Sequence, residues 1–166
     1  MASWTYSDKE TNLTVFEISI TKSIKADRSF VFDWWTDLSP DDCKLVKPLK
    51  NRTILSRSQN RILLRDEERM YFKKMVFDVE VTLHRPDSWI AEYHGASANA
   101  KSEYVLEAEA DSSTILFYNS RIQPKGVLTR LFSPLVRPFV KRIFVNEMEI
   151  FIKTLERDFA SRKVIE

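Results

Sequence analysis

Along residues 15–24, apolar and polar positions alternate. Phe16, Ile18, Ile20 and Ile24 fall on one face, and Glu17, Ser19 and Thr21 on the other. That period of two predicts a half-buried strand. Asp27 follows as an N-cap for a short helix from Arg28 to about Trp35, with Phe30, Val31, Trp34 and Trp35 on its buried side. Ser39-Pro40-Asp41-Asp42 predicts a second short helix. Ser39 caps it, Pro40 occupies the first turn, where no N–H is needed, and Asp42 suits the positive helix end. This helix should end near Lys47-Pro48.

From Lys50 to Gln123 the pattern predicts strands near 51–58, 61–68, 71–84, 89–97, 101–110 and 114–122, with short polar breaks between them. Such gaps join antiparallel neighbours, because a parallel return needs a dozen residues or more. The register follows from the turns. Met75, Phe77, Val79, Val81 and Leu83 share a face, and a turn centred on Asp87 places Trp89, Ala91, Tyr93 and Gly95 there too. A two-residue turn at Ala98-Asn99 adds Tyr104, Leu106 and Ala108, and sets Tyr93 opposite Tyr104. The last strand reads either way, with Ile115, Phe117, Asn119 and Arg121 inward or with Leu116, Tyr118, Ser120 and Ile122 inward.

After Pro124 the period becomes helical. Ser133-Pro134 looks like a helix start, and Pro138 implies a kink or restart. From Phe139 to Phe159 apolar residues recur at steps of three and four, a wide stripe on a helix long enough to cross a sheet. The pattern describes an α+β domain: a first strand, two short helices, a six-stranded antiparallel meander and a long C-terminal helix. Residues 1–12 read as a mobile N-terminus and 13–166 as one domain.

Composition narrows the chemistry. With 166 residues the chain is long enough for a real core, and a net charge of +2 leaves no global nucleic-acid footprint. Two glycines, Gly95 and Gly126, exclude glycine-rich dinucleotide and phosphate loops. Cys43 is the only cysteine, so no intrachain disulfide forms, which fits a cytoplasmic protein. The polar start has no signal-peptide pattern. His84 and His94 lack metal-ligand spacing and face away from the inner side, opposite Ile90 and Glu80, so no metal site is expected.

The run Ile18-Ser19-Ile20-Thr21-Lys22-Ser23-Ile24-Lys25-Ala26-Asp27-Arg28-Ser29-Phe30-Val31-Phe32-Asp33-Trp34 is similar to the opening of the helix-grip superfamily. This superfamily includes START domains, birch-pollen-allergen-like proteins and polyketide cyclases, often called SRPBCC. Residues 124–159 look like its polyketide cyclase/dehydrase-related branch, and Lys47-Pro48 stands where many relatives carry Trp-Pro. The resemblance in element order spans roughly residues 13–162 and implies a curved seven-stranded sheet wrapped around the last helix, with an elongated hydrophobic cavity between them. It implies binding of lipids, polyketides or isoprenoid-like molecules, with catalysis in a minority of members and no dedicated cofactor.

Candidate cavity residues are Phe77, Val79, Val81, Trp89, Ala91, Tyr93, Tyr104 and Leu106 on the sheet, and Phe144, Met148 and Phe151 on the helix. The same aromatics also serve plain core packing. Tyr93 and Tyr104 would supply polar handles, while Ala91 and Gly95 leave room. Asn119 and Arg121 would bind a carboxylate or carbonyl if the odd face of the last strand is inward. Glu147 borders the helical stripe and, if buried, becomes a candidate general acid or base together with Tyr93. Lys125, Arg130, Arg137, Lys141 and Arg142 form an acid-free basic run interleaved with leucines and phenylalanines. It reads as a solvated helix face or as a patch for transient contact with an anionic membrane.

The expected function is carriage or sensing of a small hydrophobic molecule. The alternatives are a cyclase/dehydratase-type enzyme acting on a bound ketone chain and a co-chaperone-like interaction module. Inside the cavity, a polar cluster would favour catalysis and a wall of carbon alone would favour carriage.

Overall fold

The computed structural model describes residues 15–70, 73–109, 112–125 and 127–162, with residues 127–137 described through their backbone only. The expected mobile segment 1–12 lies outside these residues. Strand β1 (Phe16–Ile24) leads into helix α1 (Arg28–Thr36) and one short 3₁₀ helix (Pro40–Lys44). Then come β2 (Leu49–Arg57), β3 (Arg61–Met70), β4 (Lys73–His84), β5 (Ser88–Gly95), β6 (Ala98–Glu109) and β7 (Ser113–Pro124). Helix α2 (Val127–Arg162) closes the order. The strands form one antiparallel sheet in the order β1-β7-β6-β5-β4-β3-β2, curved around α2.

The local signals act as their chemistry requires. The Asp27 carboxylate accepts the Phe30 N–H at 2.8 Å, satisfying an orphan donor of α1. Ser39 Oγ accepts the Asp41 N–H at 3.2 Å, and Pro40 occupies the first turn of the 3₁₀ helix. Ile18, Ile20, Ile24, Val31, Phe32 and Leu116 are buried together where β1, α1 and β7 meet.

Two turns fall short of their expected places. The β4–β5 turn centres on Pro86, pairing His84 with Ser88 and His94 with Asp78 rather than with Ile90 and Glu80. Both histidines are exposed. The β5–β6 turn is Ala96-Ser97 rather than Ala98-Asn99, so Trp89 faces Tyr104 and Tyr93 faces Ala100. Each slip moves the pairing by an even number of residues, and the inner face keeps its residues. Phe77 shows why Gly95 ends β5: a Cβ at Gly95 would stand 2.6 Å from the Phe77 ring.

The long helix begins six residues before Ser133 and runs through Pro134 and Pro138. Proline in a helix interior costs about 3 kcal/mol. Here burial further along, at Val140, Met148, Ile152 and Leu155, holds the helix in place. At 1.5 Å per residue its 36 residues span about 54 Å. Trp34 of α1 donates its indole N–H to Asp158 of α2 at 3.0 Å, which ties the two helices together at one end of the sheet. Among the described residues, no helix is long and apolar enough to cross a membrane.

Candidate functional site

The inner sheet face and α2 do not meet along their whole length. A cavity of about 560 Å³ lies between them, inside the ~300–1,000 Å³ range of small-molecule sites. Its wall is mostly carbon. Phe77, Tyr93 and Tyr104 from the sheet face Phe144, Met148 and Phe151 from α2, and Glu147 also lines it. Seven sequence candidates are thus brought together.

Val79, Val81, Trp89, Ala91 and Leu106 are buried but do not line the cavity. They sit in the packed core, where Trp89 stacks on Tyr104 at 4.6 Å and meets Phe32 edge-on at 5.7 Å. Tyr93 and Tyr104 are not cross-strand partners, yet their side chains interact within the cavity.

Strand β7 turns its even face inward, with Leu116, Tyr118, Ser120 and Ile122 buried. Asn119 and Arg121 therefore leave the cavity wall. Arg121 Nε donates to Glu17 Oε1 at 2.9 Å, and Ser19 Oγ donates to Asn119 Oδ1 at 3.3 Å, both on the outer face. Cross-strand partners on β1 thus fix the face that the apolar pattern left open.

Besides Glu147 and the tyrosines, the polar part of the wall comes from residues the sequence reading passed over. Arg52 on β2 stands directly opposite Asp66 on β3. Its Nε and Nη2 each donate to one Asp66 oxygen at 2.8 Å, and its Nη1 donates to Asp42 Oδ2 at 2.6 Å. Glu68, two residues beyond Asp66 on the same face, also lines the cavity. The signal was present: Ile62, Leu64, Asp66 and Glu68 share one parity, so the acids continue the buried face of β3.

Burial governs the protonation of these groups. It pushes the Glu147 carboxyl up to about 7, with repulsion from Glu68 adding to it. Burial also raises Glu68 to about 7, Asp66 adding to the shift and Arg52 opposing it. Asp42 rises to about 6 because desolvation outweighs the attraction of Arg52. Burial raises the phenols of Tyr93 and Tyr104 well above their ordinary value. It takes Tyr118 to about 12, hydrogen bonds with Ser102 and Ser120 pulling the other way. Near neutral pH the cavity thus holds two carboxyls able to take or give a proton, and phenols that stay protonated. Among the described residues, no group of three or more histidine, cysteine or acidic side chains is placed to hold a metal ion.

The basic run is only partly open to description. Lys125 Nζ donates to the Gly95 carbonyl at 2.8 Å. The side chains of Arg130 and Arg137 lie outside the described residues, while Lys141 and Arg142 are exposed beside Phe139, itself 58% exposed.

No protein-family model matches the chain, and no curated protein matches it. Solved structures do. An aromatase/cyclase from a Streptomyces species superposes with a TM-score of 0.74 at 12% identity, covering 86% of this chain and 94% of its own. A Thermus thermophilus protein gives 0.71 at 17%, covering 88% and 98%. A START superfamily protein from Mycobacterium smegmatis gives 0.65 at 17%, covering 87% and 97%. With the seven-stranded antiparallel sheet, the short helix after β1 and the long closing helix, these likenesses show that the chain has the helix-grip, polyketide cyclase-like fold.

Proposed function

We propose that the protein binds and carries a small hydrophobic molecule of the lipid, polyketide or isoprenoid-like kind in the cavity between the sheet and α2. The observation that carries this reading is the void itself: about 560 Å³ walled mainly by aromatic and aliphatic side chains. A protein whose only need was stability would close such a space, because unfilled volume forfeits packing energy. Apolar burial supplies affinity at about 25 cal/mol per Å² removed from water, and the tyrosines and carboxyls set orientation. An open cavity also tells against the interaction-module alternative, which needs none. The lone Cys43 belongs with a reducing, cytoplasmic setting. Native mass spectrometry of purified protein, before and after organic extraction, tests the reading. The expected result is a co-purifying molecule lost on extraction and regained from a lipid and polyketide panel. A clean spectrum with no uptake defeats it.

A second reading has its own support. The wall is not carbon alone, since Glu68, Glu147 and Tyr93 stand in it, two of them carboxyls titrating near neutrality. That set suits proton transfer on a bound ketone chain, with Glu147 as acid or base. Turnover of an extracted or panel ligand by the wild type, lost in Glu147→Gln with ligand uptake retained, would establish it over carriage.

Transient contact with an anionic membrane is part of the carrier reading, supported by exposed Phe139 beside Lys141 and Arg142. Sedimentation with anionic vesicles should fall when Arg137, Lys141 and Arg142 are changed to serine. Unchanged sedimentation removes the membrane step.

A further inference from the structure

The charge on the cavity wall is unbalanced. Among the described residues that line it, one is cationic, Arg52, and three are acidic, Asp66, Glu68 and Glu147. The guanidinium is already committed. Nε–H and one N–H of Nη2 go to Asp66 and one N–H of Nη1 goes to Asp42, so the Arg52 charge is already matched by two carboxylates even though each Nη keeps a second N–H. Glu68 and Glu147 differ. They approach from opposite walls, β3 and α2, close enough that the Glu68 charge raises the cost of ionising Glu147, and neither side chain has a hydrogen bond or ion pair with another described residue. The rings of Trp35, Phe77, Tyr93, Phe144 and Phe151 line the same cavity. Two acids without an ion-pair partner among the described residues, facing an aromatic-walled void, are complementary to one kind of head group. A cation placed between the carboxyls pairs with both and offsets their repulsion, and ring faces attract it further.

We infer that the ligand bound in this cavity carries a protonated amine, held between Glu68 and Glu147, with its apolar body among the aromatic rings. The inference rests on the cavity being a ligand site and names the chemical class of its occupant. It replaces the expectation from Asn119 and Arg121, which would have bound a carboxylate or carbonyl and which stand on the outer face. It also sets the pH response. The groups facing the two carboxyls are Asp66 on β3, Arg52 on β2 with Asp42 behind it, and the phenols of Tyr93, Tyr104 and Tyr118. The phenols stay neutral and Arg52 stays paired with Asp66, while Asp42 gains its charge near 6 and Glu68 and Glu147 gain theirs near 7, so every change adds negative charge to the cavity side of the sheet as pH rises. An aliphatic amine keeps its proton throughout. Amine binding therefore strengthens as pH rises through 7, where both carboxyls lose their protons. A neutral ketone that accepts a hydrogen bond from the protonated acids would weaken over the same range.

Three probes on one skeleton test this by isothermal titration calorimetry: naphthylethylamine, naphthylacetic acid and acetylnaphthalene, each at about pH 5.5 and about pH 8.5. The expected result is an amine bound about 10-fold or more tighter than the acid at the higher pH, the size of a charge-assisted contact. The preference should shrink at the lower pH. In the Glu68→Gln/Glu147→Gln double variant the amine and the acid should bind within about threefold of each other. Acid bound as well as amine by the wild type overturns the inference while leaving the cavity as a ligand site. A preference that survives the double variant removes it from these two carboxyls and overturns the assignment. Binding of none of the three overturns this inference and counts against the cavity reading beneath it, which the extraction experiment then decides independently. The wild-type comparison stands whether or not the double variant folds.

Discussion

Asp66→Ala is expected to destabilise the protein by about 3–5 kcal/mol, the usual cost of leaving one member of a buried ion pair without the other. Asp66 is 2% exposed, and the Arg52 side chain only 11%. The two are cross-strand partners, so the pair also pins β2 to β3 at the rim of the cavity. Removing the carboxylate leaves the guanidinium in low dielectric with Asp42 alone. Asp42 is a poor substitute, because its own carboxyl is pushed up to about 6 and becomes neutral in mild acid. The loss should therefore be larger at about pH 5 than at about pH 8. Urea unfolding followed by circular dichroism measures it. Replacing both partners with apolar residues of similar volume, Arg52→Met with Asp66→Leu, should recover most of the loss, since the pair's attraction only offsets its own desolvation. A single-variant loss below about 1 kcal/mol would mean that water reaches the pair and that it is not buried in the sense the geometry implies.

The free protein should lose stability as pH rises, the reverse of the usual acid-labile pattern. Glu68 and Glu147 titrate near 7 when folded, against an ordinary value of 4.5. The folded state therefore binds more protons than the unfolded chain between these values. Stability then declines with increasing pH, beginning near the unfolded value and levelling off above the folded one. Asp42 acts in the same direction over a lower window, from 3.8 to about 6. Between about pH 5 and about pH 7.5 each glutamate contributes a loss on the order of 2 kcal/mol, and their mutual repulsion keeps the two from simply adding. Glu147→Gln removes its own share, including the part set by the Glu68 charge, so the variant should show a flatter profile and greater stability at about pH 8. Urea midpoints across this range decide the matter, and a midpoint that climbs with pH in the wild type contradicts it. Ligand changes the picture in a diagnosable way. A bound amine would offset the repulsion, and its protection should be greatest at the alkaline end, where the free protein is weakest.

Parity explains why so much of the sheet could be read from the chain. Phe77, Trp89, Tyr93 and Tyr104 share the inner face in the structure as in the alternation, although both turns that connect their strands sit away from their expected places. Each displacement was even, and an even slip does not exchange faces. The fine pairing was not legible, because Pro86 and Ala96-Ser97 compete with equally plausible turn residues nearby. For β7 the alternation failed outright. Ile115 and Phe117 make the outer face as apolar as the inner one, and only Glu17 and Ser19 on a strand distant in sequence settle it. The start of α2 was misplaced for a different reason. Ser133-Pro134 and Pro138 carry local start and restart signals, and tertiary burial beyond them carries one helix through both prolines from Val127. As for the site, the aromatic wall and Glu147 were visible as periodic features. Asp66 and Glu68 share the parity of buried Ile62 and Leu64, but charges on a meander strand ordinarily face water, and the β2–β3 pairing that brings Arg52 to them cannot be inferred from either strand alone.

Trp35 occupies the point where the cavity wall joins the aromatic core. Its ring centroid lies 6.2 Å from Trp34, 6.0 Å from Trp89, 6.1 Å from Tyr104 and 5.9 Å from Phe151, and its side chain also borders the void. Chromophores this close share their excited states, and the asymmetry of the cluster gives each shared transition a handed optical signature. Any guest that displaces or polarises Trp35 alters that signature at its source. The molecule thus contains its own label-free gauge of occupancy, legible as a near-ultraviolet spectrum without altering a single residue.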